Sequence, residues 1–413
     1  MKNSISQWFR LYYNKVISSI AFYPALMAFG FLILAWVMLE IDFSSWGQNL
    51  KSELNWLRLK DATTARSIIA TVAGAVISLT VFSFSMVMIV LNQAASQMSN
   101  RVLTSMIENR FQQVVLGFYI GTIVYALFLL STIRDISSGV YVPALSIYLL
   151  IIMTVIDIFL FIYFLDYVTQ TVKFETVIER VMKQTFVTLK KDYKEIEFQN
   201  KPWENLPFVE IKTNQSDYFQ GFSTEKLIKL ASEKNLFISF LYPRGTFLVE
   251  GMVFMKIYSA KTVMKDCTSK VTESMDFFNG QPIAKNADYG LNQLAEIAIR
   301  ALSPGINDPG TAIIALQSIT SLLCYRLDKN LPNVLCDKNK MPRIYIPVSK
   351  FEERFEHCFR PIWNYGKEDL YIQKEMLFLI NQLQKADTKK LYATTFESFI
   401  TKIENFKNAK TEI

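Results

Sequence analysis

Long unbroken apolar runs fill the first 170 or so residues of the chain, and shorter amphipathic ones fill the rest. Residues 20–40 are almost wholly apolar, about the 20 residues a helix needs to cross a hydrocarbon core at 1.5 Å rise per residue. The length of this run, and its lack of a small-residue cleavage site, set it apart from a signal peptide. Three further runs follow at about 67–92, 114–132 and 142–165, none with a lysine or arginine inside. Each predicts a spanning helix, because in lipid a helix closes its backbone hydrogen bonds within one segment.

Basic residues near the span ends set the expected orientation. Lys2, Arg10 and Lys15 precede the first span, Arg101 and Arg110 separate the second from the third, and Lys173, Arg180 and Lys183 follow the fourth. By the positive-inside rule these belong to the cytoplasm, with both termini. The first outer loop runs against that rule through Lys51, Arg58, Lys60 and Arg66. It also places Trp46, Leu50, Leu54 and Leu57 at helical spacing. That pattern suits a short helix lying in the interface, or a lid packed on the outer span ends.

Two features inside the apolar runs need a reason. Thr71, Gly74, Ser78, Ser85, Asn92, Ser96 and Ser99 recur at steps that keep one face of the second span. Small and polar residues on one face either pack closely on another helix or line water in an assembled pore. Gln93, Gln97, Arg101 and Glu108 continue the helical pattern, so this span is expected to project beyond the membrane as a stalk or hairpin. Asp157 sits deep in the fourth span, where an ionised side chain costs at least about 2.5 kcal/mol. It must face protein or water, either as a proton or cation relay or as a hydrogen-bonded partner of a neighbouring helix.

Beyond the spans the periods change. Residues 169–192 read as an amphipathic connecting helix with Val172, Phe174, Val177, Val181 and Phe186 on its buried side. Strand-like segments at 208–213 and 218–222 flank a polar turn, and a helix capped by Ser223 follows with Leu227, Leu230 and Ala231 inward. Further strands are expected at 236–241 and 246–249, around Pro243-Arg244-Gly245, and at 343–346, which Pro347 ends or confines to a sheet edge. The 287–326 stretch predicts two helices broken at Ser303-Pro304-Gly305, the second capped by Asp308 with Pro309 as its first residue. Arg300, with the amides at that helix start, offers an anion site; alternatively Arg300, Asn307 and Asp308 satisfy one another. The last segments, 351–363 and 367–406, read as helices. The expected fold is an α-helical polytopic membrane domain of four spans (1–168), a connecting helix (169–200), a small α/β or β-rich unit (201–285) and a mainly helical cytoplasmic part ending in a bundle (286–413).

Composition narrows the chemistry. The net charge is +7 over 413 residues, yet no dense basic block with interleaved aromatics marks a nucleic-acid surface, so membrane phosphates are the simpler partner. Cys267, Cys324, Cys336 and Cys358 match neither a zinc site nor a redox pair. His357 is the only histidine. Without a phosphate-binding glycine loop, nucleophile elbow or clustered metal ligands, the sequence predicts no enzyme, cofactor or metal.

The segment Gly290-Leu-Asn-Gln-Leu-Ala-Glu-Ile-Ala-Ile-Arg-Ala-Leu-Ser-Pro-Gly-Ile-Asn-Asp-Pro-Gly-Thr311-Ala resembles the signature of a bacterial membrane-protein family catalogued as domain of unknown function 2254. Leu116-Gly117-Phe118 and Tyr125-Ala126-Leu127 add to the match, which covers most of the chain. Asn100 departs from the family's usual proline, and Asn286 stands where an acidic residue is expected. The resemblance implies this architecture and a bacterial inner-membrane location, and supplies no activity. Two functions stay open: an oligomeric channel or transport-related protein whose lumen is the polar stripe, expected as a homo-oligomer in the bilayer, or a membrane-anchored sensor or scaffold whose cytoplasmic domain binds a ligand or partner.

Overall fold

The structure, a computed structural model, describes residues 21–53, 61–97, 110–136, 139–171, 173–192, 203–260, 265–277, 283–329 and 333–411. The chain forms two compact units, Met1–Lys173 and Phe174–Ile413.

The first unit is built on four helices long and apolar enough to span a membrane. These are α1 (Phe22–Phe43), α3 (Ala62–Gln97), α4 (Arg110–Thr132) and α5 (Ala144–Thr171). A short α2 (Ser45–Glu53) follows α1, and a hairpin of β1 (Arg134–Ile136) and β2 (Gly139–Tyr141) joins α4 to α5. Trp46 on α2 is exposed, and Leu54 and Leu57 lie outside the described residues, as do Lys2, Arg10, Lys15, Arg58, Lys60, Asn100, Arg101 and Glu108. The helix through Asn92 does continue to Gln97.

The α4 helix packs on α1 closely because it has no side chain where they meet. A Cβ at Gly121 would stand 2.7 Å from the Phe31 ring, and one at Gly117 would stand 2.6 Å from the Met27 sulfur. This four-residue spacing of glycines is the usual way helices approach in lipid, where no hydrophobic drive brings them together. The buried centre continues through Ala35, Leu39, Ala65, Ile69, Ala126, Leu129 and Leu150.

Asp42 closes the same unit at the loop end. Fully buried, its carboxylate accepts from the amides of Leu145 (3.1 Å) and Ser146 (2.8 Å) and from the Ser146 hydroxyl. Lys51 pairs with it at 3.1 Å and also reaches its carbonyl oxygen at 2.6 Å. An acid from α1 thus satisfies the open amides at the start of α5, where the helix dipole favours negative charge.

The second unit opens with α6 (Phe174–Asp192), whose Val177, Ile178, Val181, Thr185 and Leu189 are buried within it. A five-stranded sheet runs in the order β3 (Phe208–Lys212), β7 (Val253–Tyr258), β5 (Phe237–Phe240), β10 (Pro342–Tyr345), β9 (Val334–Cys336). All neighbours are antiparallel except β5 and β10. A second sheet, β6 (Thr246–Leu248), β4 (Asp217–Phe222) and β8 (Met275–Phe277), lies in the order β6-β4-β8. The core between them is aromatic, with Phe219, Phe222, Phe240 and Phe254 joined by α7 (Thr224–Lys234), through Leu227 and Ala231, and by α8 (Lys265–Glu273), through Val271. Ser223 stands at the N-cap position of α7 without a side-chain cap bond. Pro347 ends β10, but the strand is interior rather than at an edge. Its charged Arg343 is buried and paired with Asp337 at 2.8 Å, which also holds that carboxyl below its usual range.

After a single 3₁₀ turn (Ile283–Lys285) come α9 (Ala287–Ala301), α10 (Pro309–Arg326), α11 (Phe351–Gly366), α12 (Leu370–Ala386) and α13 (Ala393–Thr411). The α9 helix is apolar on several faces because α6, α10 and α11 cover it. Rings of Phe351, Phe355, Phe359, Tyr392, Phe396 and Phe399 stack between α11 and α13. Of the four thiols, Cys358 is buried in this layer, and burial pushes it up to about 12.

Candidate functional site in the membrane unit

The polar stripe occupies the side of α3 that its own bundle leaves uncovered. Thr71, Gly74, Ser78, Ser85 and Asn92 are all exposed, whereas Ala65, Ile69, Ala73, Val76 and Ser83 are buried. At about 100° per residue the two sets fall on roughly opposite sides of the helix. A Cβ at Gly74 would meet nothing within 4 Å, and the Ser78 hydroxyl turns back to the Gly74 carbonyl oxygen at 2.9 Å. Close packing within the chain is therefore not what these small residues serve.

The other outer surfaces of the unit look different. Exposed positions on α1 include Leu26, Phe29, Ile33 and Trp36, and those on α5 include Ile152, Phe159 and Ile162. These are large apolar groups suited to acyl chains. On α3, Val81, Phe82 and Ile89 flank the stripe, so the hydroxyls form a narrow polar seam within an apolar border. Ser96 extends the helix, and Ser99 lies outside the described residues.

Behind the seam, on the bundle side, four polar side chains from three helices gather. Asp157 of α5 is fully buried, and among the described residues neither of its oxygens has a hydrogen-bond partner. Thr122 of α4 lies beside it, but donates to the Phe118 carbonyl oxygen at 3.1 Å. Tyr119 of α4 stands near both Asp157 and Ser83 of α3. The Tyr119 and Ser83 hydroxyls are buried and likewise without a closed hydrogen bond. Leaving each such group unsatisfied costs about 1–3 kcal/mol. Asp157 was legible in the sequence as an acid within an apolar run; Ser83, Tyr119 and Thr122 were not, since each reads alone as an ordinary helix residue.

The signature turn of the second unit is a closed structural joint. Asn307 takes a left-handed backbone, with φ 49°, and the Asp308 amide donates to the Ala301 carbonyl oxygen at 2.8 Å. The Asp308 carboxylate accepts from the Thr311 amide at 3.1 Å and its hydroxyl at 2.5 Å. Pro309 follows as the first helical residue. Ser303 donates its hydroxyl to the Arg300 carbonyl oxygen at 2.7 Å, and Pro304 lies in the turn between the helices. The Asp308 carboxylate thus caps the start of α10, as its place before Pro309 predicts. Asn286, in place of the expected acid, caps α9 by accepting from the Asp288 amide at 3.1 Å.

Four spanning helices joined to a mixed α/β unit and C-terminal helices define a multi-pass membrane protein with a large extramembrane part. The chain belongs to the family of predicted membrane proteins DUF2254, which it matches over residues 17–382. Uncharacterized proteins of Mycobacterium bovis and Mycobacterium tuberculosis are 23% identical to it over 333 residues, 77% of this chain and 63% of theirs. The chain thus spans less than two thirds of these relatives' length. No solved structure matches it.

Proposed function

We propose that this protein is an oligomeric channel or transport-related protein of the bacterial inner membrane, with copies arranged so that their α3 seams face a shared polar axis. The observation that carries the reading is the outward polar seam of Thr71, Gly74, Ser78, Ser85 and Asn92, opposite the buried side of the same helix. Lipid is a poor neighbour for it, and water between copies is a good one. The Asp157 cluster lies directly behind α3 through Ser83, where a change of protonation or hydration would act on the seat of the lining helix. Neither feature is needed by a helix bundle that merely anchors a domain. The basic residues after α5, Lys173, Arg180 and Lys183, support termini in the cytoplasm, where the second unit would regulate the opening. The competing sensor reading rests on that unit and would use the seam only for packing between copies.

Flux through proteoliposomes tests it. The purified chain should pass an ion or small solute down a gradient or an applied potential, and Ser85→Leu, which closes the seam with an apolar side chain, should cut that flux at least tenfold in protein that still purifies folded. Wild-type vesicles that stay tight under every gradient, potential and tension applied would overturn the proposal.

A further inference from the structure

We propose that the second unit holds a binding site for a small organic phosphate in the cavity between the β4-β8 sheet and the start of α9. This proposal stands on its own geometry, independent of the pore. The cavity measures about 360 Å³, within the range of small-molecule sites, and combines apolar walls with a few convergent polar groups, as such sites do. Phe222, Leu335 and Ile346 supply apolar wall, and Gln220, Thr224 and Ser349 supply polar groups.

Its basic centre is Arg244, which the backbone goes to some length to place. Gly221 has φ +127°, a conformation side-chain-bearing residues rarely adopt, and a Cβ there would stand 3.2 Å from the Arg244 Nε. The guanidinium carbon lies 5.4 Å over the Phe222 ring. The turn that carries Arg244 is pinned from both sides. Gly245, with φ 84°, donates its amide to the Phe219 carbonyl oxygen at 2.7 Å, and the Asn286 side chain donates to the Arg244 carbonyl oxygen at 3.3 Å. An acidic residue at 286 would have no proton to donate there, so the departure at this position fits the architecture of the cavity.

Charge decides the sign of the ligand. Among the described residues, Lys191, Arg244 and Lys285 line the cavity with Asp276 and Asp288. Both acids are already engaged: Lys285 pairs with Asp276 at 2.8 Å, and Arg326 and Arg354 hold Asp288 at 3.0 and 2.9 Å. Among the described residues the lining itself thus carries three cations against two carboxylates, and with both carboxylates held by cations the cavity favours an anion, for which a phosphate offers more acceptor oxygens to a guanidinium than a carboxylate does. By contrast, among the described residues the groove between α10 and α12 has Glu375 as its only charged lining residue.

Calorimetric titration of the full-length protein in detergent tests the site. The probes are inorganic phosphate, adenosine monophosphate, glucose 6-phosphate and dihexanoyl phosphatidic acid, with adenosine and glucose as uncharged controls. The expected result is saturable, salt-sensitive binding of at least one phosphate and none of the controls, weakened tenfold or more by Arg244→Gln and by Lys191→Gln at the exposed rim. Arg300→Ala, outside the cavity, should bind as the parent does. The tightest probe tells a lipid headgroup from a soluble ligand. Should Arg244→Gln fail to fold, seen as Cys358 becoming reactive to a thiol reagent, Lys191→Gln decides alone. No phosphate binding, or equal binding by the parent and a folded Lys191→Gln, would overturn the proposal.

Discussion

Replacing Asp157 by leucine is expected to make the purified protein more heat-stable and to abolish its flux in proteoliposomes. The carboxyl is fully buried, and among the described residues neither oxygen is hydrogen-bonded. An apolar side chain of similar size removes an unsatisfied group worth about 1–3 kcal/mol of destabilisation, which in a chain of this size raises the unfolding midpoint by several degrees. Ser83 and Tyr119 lose a polar neighbour, so the gain should lie toward the lower end. Stability and activity moving in opposite directions is the mark of a group retained for function at a cost to the fold. A thermal scan of the two proteins in the same detergent, read by the loss of monodisperse protein, measures the first half. A lower midpoint for the variant would mean that Asp157 contributes to the fold, and the functional case for it would fall.

Gly290→Ala is expected to have the largest effect on the second unit, although it adds a single methyl group. A Cβ on Gly290 would fall inside the Thr185 hydroxyl oxygen and stand 2.9 Å from the Thr185 Cβ. That hydroxyl cannot swing away freely, because it donates to the Val181 carbonyl oxygen at 2.6 Å. Both helices are fixed on their other sides, α9 by α10 and α11, and α6 by α10. The strain therefore spreads into the core and should cost about 1–3 kcal/mol. Thr185→Ala in the same chain should recover part of the loss, a coupling that two unrelated destabilising changes would not show. Denaturant midpoints of the parent, the two single variants and the double variant give the number. A neutral Gly290→Ala would mean that α6 and α9 do not approach as described.

What could be read from the residues alone follows from how strongly each environment constrains them. Hydrocarbon tolerates only long apolar helices, so α1, α3, α4 and α5 were legible to within a few residues at most ends. The Asp308-Pro309 start of α10 was equally plain, since proline fixes the first helical residue and the acid before it fills the cap. Short strands were harder. The β7 segment, Val253–Tyr258, mixes apolar positions with Lys256 without clean alternation, and β8 and β9 are three residues each. The interior place of β10 was hidden by Pro347 and by Arg343, whose charge looks like an edge residue until Asp337 is seen beside it. Contacts between distant positions were out of reach: Asp42 meets Ser146 across 104 residues of chain. The seam itself was visible as a period in the sequence, but only packing shows that it faces away from its own bundle.

Whether the α3 seam meets water between copies is decided by cysteine placed at Ser85 in native membranes, against the same change at Phe159, an exposed apolar position on α5. Ser85→Cys should react with a charged, membrane-impermeant thiol reagent and cross-link to a second copy, beyond what the parent's own cysteines give, while Phe159→Cys does neither. Equal behaviour of the two positions, with no water access and no cross-link at 85, would place the seam in lipid and leave no shared polar axis.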